Sequence, residues 1–263
     1  MILYYSATGN TRFIAENLAR LLNDTSLNLL PRIKKKDFSA IHSSKPFVIC
    51  APTYVSEMPR FLAAYLKRVP LTGSREVWFL FTSGGYAGCS GVLAEKLMRK
   101  KQMRFRGYAE FLMPGNYIAD NHYPEPGEEE IVRRISNASK KLTEIAETIR
   151  TGGVLKHRHV WLFEKLVTIP FNPVWCRLKQ TASPFFAGES CISCGRCARL
   201  CPVNAITIVN GKPLWTKEHC AHCMSCIQNC PVEAIEYGII TRNKKRYLLQ
   251  KYRCKPEENQ NER

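Results

Sequence analysis

Apolar positions along the first 150 residues follow two alternating patterns. Ile2 to Tyr5 form a short run with no loop residue, and Phe13, Ile14, Leu18, Leu21 and Leu22 then recur at helical spacing. This predicts a buried strand followed by a helix from about Asn10. SLNLL (26–30) predicts a second strand, and KKK at 34–36 falls in a loop or short helix. KPFVICAP (45–52) and EVWFLFTSGG (76–85) are continuous apolar runs of the kind required by strands covered on both faces. PRFLAAYLKRV (59–69) reads as a helix with proline in its first turn. Further helices are predicted over 90–100 and over 128–150, the second opening on glutamates at the end its dipole favours. A fifth strand lies within 103–114. Alternating strands and helices argue an α/β domain built on a doubly wound, five-stranded parallel sheet.

Ligands of such a sheet bind beyond the carboxyl ends of its strands. The loops at that edge are SATGNT (6–11), PTYVSEMP (52–59), TSGGYAGCS (82–90) and PGNYIADNHY (114–123), each rich in glycine, proline or small polar residues. In SATGNT the free amides of a strand-to-helix turn converge with the positive end of a helix, and Ser6, Thr8 and Thr11 add hydroxyls. A helix cap needs one hydroxyl, not three, so the turn reads as an anion site, with Gly9 admitting close backbone approach. The glycine spacing fits neither the dinucleotide fingerprint nor the Walker loop, and no lysine follows to neutralise a triphosphate. A monophosphate suits a neutral loop.

S-x-T-G-N-T directly after the first strand resembles the phosphate loop of flavodoxins, which bind FMN. The resemblance implies strand order 2-1-3-4-5, with Ser6, Thr8, Gly9, Asn10 and Thr11 on the phosphate. Pro52, Thr53, Tyr54, Ser83, Gly84, Gly85, Tyr86, Asn116 and Tyr117 would then flank the ring. Tyr54, Tyr86 and Tyr117 are the candidates to stack on it, ordinary loop packing being the alternative for each. The ring loops lack tryptophan and the domain is basic, both departures from flavodoxins, which leave one face of the ring less covered.

No apolar run approaches transmembrane length, and the first strand is too short for a secretory signal, so the expected location is cytoplasmic. There the twelve cysteines read as metal ligands rather than disulfides. Eight of them lie in CISCGRCARLCPVNAI (191–206) and CAHCMSCIQNCPVEAI (220–235), an internal duplication. Each half is C-x2-C-x2-C-x3-C-P and resembles the run of bacterial two-cluster ferredoxins, whose fourth cysteine serves the other cluster. That resemblance implies one 4Fe–4S cluster on Cys191, Cys194, Cys197 and Cys230, and a second on Cys220, Cys223, Cys226 and Cys201. Structural zinc would show paired CxxC knuckles without the trailing Cys-Pro. Asn210-Gly211 between the halves signals a hairpin. A segment so short cannot bury enough apolar surface alone, so the clusters are expected to staple its fold. His219 and His222, beside ligands, read as surface histidines. Cys50, Cys89 and Cys176 read as small buried hydrophobes, and Cys254 as exposed and inert.

The chain thus divides into a flavodoxin-like domain (1–150), a linker (151–185), a small α+β two-cluster ferredoxin domain (186–240) and a basic tail (241–263). The linker mixes large apolar and basic residues around two prolines. It reads as a packed connector, a lid over the flavin, or a membrane-surface segment. The net charge of +17 is spread outside the cysteine segment, with no basic helix interleaved with aromatics. No nucleic-acid surface is therefore expected; an acidic redox partner, peripheral membrane contact and a homodimer stay open. Over nearly its whole length the chain resembles the flavodoxin–ferredoxin fusion proteins of anaerobic bacteria and archaea. Electron transfer between the clusters and FMN, and on to a redox partner, is the implied function. A flavin reductase of a small organic substrate, and a tethered ferredoxin with a vestigial flavin site, are the alternatives. No acid/base pair stands out, so no catalytic residue is assigned.

Overall fold

The computed structural model describes residues 1–123, 125–216 and 220–252. His219 and Cys254 lie outside these residues. β1 (Ile2–Tyr4), α1 (Asn10–Leu21), β2 (Ser26–Asn28) and α2 (Leu30–Lys35) open the chain. β3 (Ile41–Ser43), β4 (Phe47–Pro52), α3 (Arg60–Arg68) and β5 (Leu71–Gly73) follow, then β6 (Glu76–Ser83), α4 (Ser90–Lys100), β7 (Arg104–Leu112) and α5 (Glu128–Arg150).

Five of these strands form one parallel sheet in the order β2-β1-β4-β6-β7. Numbered within the sheet, that order is 2-1-3-4-5, the flavodoxin-like arrangement. The central strands are covered on both faces, as their unbroken apolar runs require. Alternate residues enter opposite cores: Val48, Cys50, Trp78 and Leu80 pack with α1 and α5, while Ile49, Ala51, Phe79 and Phe81 pack with α3 and α4. A fully buried side chain of this size contributes about 1.5–3 kcal/mol, so these two layers carry the domain. β3 and β5, three residues each, pair with one another outside the sheet and are too short to show a hydrophobic period.

The domain runs past α5. Leu155 is buried and bridges Gly107 of β7, and Trp78 donates its indole N–H to the carbonyl of Gly153 at 3.0 Å. The linker then forms α6 (Leu162–Lys179), an 18-residue helix carrying Pro170 and Pro173.

The cysteine-rich part holds β8 (Phe185–Ala187), α7 (Arg196–Leu200), β9 (Ile206–Val209), β10 (Lys212–Trp215), α8 (Ser225–Gln228) and β11 (Ile235–Tyr237). β9 and β10 form the hairpin turning at Asn210-Gly211, and β8 pairs antiparallel with β11. The sequence duplication recurs in the backbone. Ser193 and His222, Gly195 and Met224, and Asn204 and Glu233 hold equivalent places in the two halves, and all six are left-handed. For the five residues other than glycine this conformation is uncommon and unfavourable, so both halves hold their loops in the same strained shape.

Residues 241–252 do not form the upstream part of a basic tail. Tyr247, Leu248 and Leu249 are buried, and Tyr247 and Leu249 join the core of the first domain. Arg246 is buried as well, with its charge paired to Glu236 at 2.7 Å. A lysine- and arginine-rich composition hid the three apolar residues that anchor this return.

Candidate functional site: two thiol cavities against a phosphate-type loop

The duplicated motif builds two separate cavities. Cys191, Cys194, Cys197 and Cys230 line one of them; Cys201, Cys220, Cys223 and Cys226 line the other. In each set three thiols come from one half and the fourth crosses over from the other. Among the described residues, no three His, Cys, Asp or Glu side chains close on a point suited to a lone metal ion. Each set of four thiols lines one space, which is what a four-iron cubane, with iron at its own corners, needs. Backbone amides also serve the sulfurs in matching places: Ala205 N–H donates to Cys201 Sγ at 3.2 Å, and Ala234 N–H to Cys230 Sγ at 3.3 Å.

The two cavities differ in access. Cys194 is exposed, whereas Cys201, Cys223 and Cys226 are buried. Burial pushes the thiol of Cys220 up to about 12 and that of Cys223 up to about 11, and raises Cys226 well above its ordinary value. Free thiols there would be protonated at neutral pH; a bound metal cluster is what would hold them as thiolates. The residues fit two 4Fe–4S clusters.

At the sheet edge, SATGNT forms the turn between β1 and α1. Gly9 precedes the helix at φ +106, a region open to glycine. The first amides of α1 have no acceptor within the helix. Ser6 Oγ accepts from Gly9 N–H at 3.2 Å and Thr8 Oγ1 accepts from the Asn116 amide at 2.8 Å. Each of these two hydroxyls keeps its own proton to donate. Thr11 turns inward, its hydroxyl 2.8 Å from that of Thr82, so it ties the loop to β6. Asn10 donates to the carbonyl of Pro114 at 2.9 Å and accepts from the Tyr247 hydroxyl at 2.7 Å. The close neighbour of Gly9 is the chain itself: a Cβ there would lie 3.0 Å from Leu249 Cβ, and Leu249 N–H donates to Thr8 O at 3.0 Å.

Next to this loop, the hydroxyls of Thr53 and Ser83, at the ends of β4 and β6, are buried with no partner among the described residues. A side chain added at Gly85 or Gly115 would meet nothing within 4 Å. Uncommitted hydroxyls and open backbone at the ends of adjacent strands fit a polar, planar ligand such as FMN. Pro52 closes β4 and Gly84 approaches Gly115, so both stand at this edge.

The three tyrosines diverge. Tyr86 is exposed, with the Arg158 guanidinium 5.4 Å from its ring centre. Tyr54 sits beside Tyr5, and burial, with Cys223 alongside, holds both phenols well above their ordinary value. Tyr117 faces the cysteine domain, its hydroxyl 3.1 Å from His222 Nδ1. His222 is therefore not a surface histidine. It is buried, its Nε2 lies 2.8 Å from Thr181 O, and burial pushes its pKa below the ordinary value.

The cysteine domain is docked on the crevice edge. Ser225, the first residue of the helix that carries Cys226, and Asn229, just past its end, both donate to Ala7 O in SATGNT, at 3.3 and 3.0 Å. Gln228 donates to Asn116 O at 2.8 Å. On the other side Lys34 donates to the carbonyls of Ala198 and Cys201, both at 2.9 Å. These contacts cross from one domain to the other and have no signature in sequence. The linker also reaches the ring loops: Arg158 donates to Gly88 O at 3.1 Å, and Asn172 donates to Val55 O at 2.8 Å.

Residues 183–231 match the family of 4Fe-4S dicluster domains. The segment is thus an iron–sulfur domain of the two-cluster type, and the chain carries a redox, electron-transfer role. No curated protein matched the chain. Among solved structures, similarity extends to the flavodiiron core Flv1 of Synechocystis sp. PCC6803, at 16% identity over 56% of this chain and 36% of that one, TM-score 0.32. The two-electron-reduced flavodoxin of Megasphaera elsdenii gives 14% identity over 54% of this chain and 99% of its own, TM-score 0.30. The NAD(P)H:quinone oxidoreductase of Methanothermobacter marburgensis gives 11% identity over 60% and 96%, TM-score 0.31. The strand order, not these likenesses, establishes the fold. The chain thus joins a parallel sheet of flavodoxin-like strand order to a dicluster iron–sulfur domain.

Proposed function

We propose that this chain exchanges low-potential electrons between two 4Fe–4S clusters and FMN, and delivers them to an acidic redox protein partner. When bound, FMN takes electrons singly or in pairs and each cluster carries one, which lets the pair convert between the two currencies. One observation carries the reading: the helix of Cys226 is bonded through Ser225 and Asn229 to the carbonyl of Ala7 in the phosphate-type loop. Ser6, Thr8 and the first amides of α1 would hold the phosphate. Thr53 and Ser83 would orient the ring, and Arg158 and Asn172 would fix the loops on either side of it. The docked cysteine domain would cover the side of the crevice nearest Cys223, where the hydroxyls of Tyr5 and Tyr54 are buried.

A second reading, reduction of a small organic anion, draws support from one feature. A cleft between α3 and α6 is lined by Tyr54, Phe61, Arg60, Arg177 and Cys220, which places two guanidinium groups near the second thiol cavity.

Anaerobic rapid mixing of the full chain with a one-electron donor tests the first reading. Flavin absorbance should fall without an added mediator, at a rate independent of protein concentration, because both sites belong to one chain. A rate proportional to protein concentration, or no flavin in the purified protein, overturns it.

A further inference from the structure

Helix α6 is inverted relative to an ordinary surface helix. Its narrow inner side, with Asn172 and Cys176, is buried against the sheet domain, while Leu162, Phe163, Leu166, Val167, Val174 and Leu178 all face outward. Phe163 is 78% exposed, and Trp161 just before the helix 71%. Scattered exposed apolar residues are normal on a protein surface, whereas a contiguous helical face of them marks a contact surface.

Charge identifies the occupant. Lys165, Arg177 and Lys179 are the basic residues of the helix, and its one acidic residue, Glu164, is bound to Arg158 at 2.5 Å. A second copy of this face would bring the same cations and no free carboxylate, so its charges would meet like charges. Anionic headgroups would pair with Arg177 and Lys179, which are exposed at the end of the helix, whereas Lys165, two turns before Asn172, lies on the inner side; the excess charge of +17 acts in the same direction. Trp161 and Trp175 add indoles suited to the headgroup level. Arg177 is exposed and lines the cleft towards α3 next to Val174, so it borders the apolar face, and its long stem can carry the guanidinium to the phosphate layer. Among the described residues no helix is long and apolar enough to cross a membrane. The face is therefore suited to lying on a bilayer.

We propose that α6 seats this protein on the anionic surface of a lipid bilayer, with its outer apolar face at the acyl boundary and Arg177 and Lys179 among the headgroups. Asn172 on the inner side of the same helix holds the carbonyl of Val55, so the seated protein would carry its sheet-edge crevice next to the membrane. The proposal does not depend on which redox reading holds.

Cosedimentation of the full, cofactor-loaded chain with vesicles tests it. Vesicles of phosphatidylcholine containing about one-third phosphatidylglycerol should bind at least about tenfold more tightly than pure phosphatidylcholine, and salt should weaken the binding. Replacing Leu166 and Val174 together by glutamate should lower binding at least about tenfold. Brominated lipid should quench the wild-type tryptophan fluorescence, and much less in a Trp161→Phe, Trp175→Phe variant. The proposal is overturned if neither vesicle binds, if both bind equally, or if the glutamate variant binds like wild type. A lipid-free dimer abolished by the same substitutions would assign the face to a second copy and overturn it too. Should the glutamate variant lose its cluster absorbance, Arg177→Glu with Lys179→Glu decides: retained binding to the anionic vesicles refutes the proposal.

Discussion

Asn229 donates its side-chain amide to the carbonyl oxygen of Ala7 at 3.0 Å, joining residues 222 apart in the chain. Ala7 sits in the turn expected to hold a phosphate, and Asn229 directly precedes Cys230, the thiol that crosses to the first cavity. The same amide also bonds the carbonyl of Ser225 at 2.8 Å. One side chain thus ties the end of α8 to the crevice of the other domain. The loop and the cysteine motif are therefore in direct contact, although each is defined within its own stretch of sequence.

Replacing Asn229 by alanine removes both bonds and leaves the Ala7 carbonyl with only the longer contact from Ser225. The expected loss is about 1–3 kcal/mol of stability, read as a lowered unfolding midpoint in urea. Flavin content should drop with it, because the loop loses its support. Iron content should hold near the wild-type value, since no thiol changes. An unaltered midpoint and unaltered flavin content would show that the domains dock without this contact.

Iron analysis separates the two cavities. The full chain purified without oxygen should carry about eight iron and about eight inorganic sulfide. Cys226→Ser should retain about four of each, with the remaining cluster in the cavity of Cys191, Cys194, Cys197 and Cys230. Loss of all iron would show that the cavities assemble as one unit. Stoichiometric zinc without sulfide would refute the cluster assignment.

Much of this site is legible in the sequence because its parts are local. Four cysteines within eleven residues define each half of the motif, and an apolar strand followed by SATGNT defines the loop. The five strands of the sheet show themselves by unbroken apolar runs or by their place between helices. What escapes is long-range. Lys34, inside a basic triplet, gives no sign that it will bind carbonyls near Cys201. His222 stands beside a ligand in a polar stretch of sequence and becomes buried because Tyr117, Thr181, Phe185 and Tyr237 close around it. Leu249 reaches Gly9 from a segment whose average character is basic. The sequence of α6 shows large apolar residues but not which side of the helix they occupy, and packing alone decides that.

Glu57 gives a pH signature. It is buried in the loop after β4, one carboxyl oxygen lacks a partner, and burial pushes its pKa up to about 7, with Arg60 opposing. A carboxyl raised in the folded state binds more protons there than in the unfolded chain between the two pKa values, so its contribution to stability falls as pH rises through that window. Above about pH 7 the penalty is complete. Glu57→Gln should therefore stabilise the protein at pH 8 relative to wild type, with the difference shrinking as pH falls towards 5.5. Denaturation midpoints of the two proteins across that range check it. A constant difference would show that Glu57 is ionised at both ends.

The route into the protein should be asymmetric, because the two cavities differ in exposure and position. Cys194 is exposed at the outer cavity, whereas Cys223 is buried beside Tyr5 and Tyr54 at the sheet edge. If the inner cavity serves the flavin and the outer one receives electrons, two variants should behave differently with two donors. With a small chemical reductant able to reach either cavity, Cys194→Ser should keep fast loss of flavin absorbance and Cys223→Ser should lose it. With a protein donor, which can dock only on the outside, both variants should lose the fast phase. Circular dichroism and FMN content need to match wild type in each variant, so that the comparison reads connectivity rather than unfolding. Fast flavin reduction in Cys223→Ser with either donor would remove the inner cavity from the path. Fast reduction in Cys194→Ser with the protein donor would place the docking surface nearer to the second cavity, at the cleft of Arg60 and Arg177, where guanidinium groups could meet an acidic partner directly.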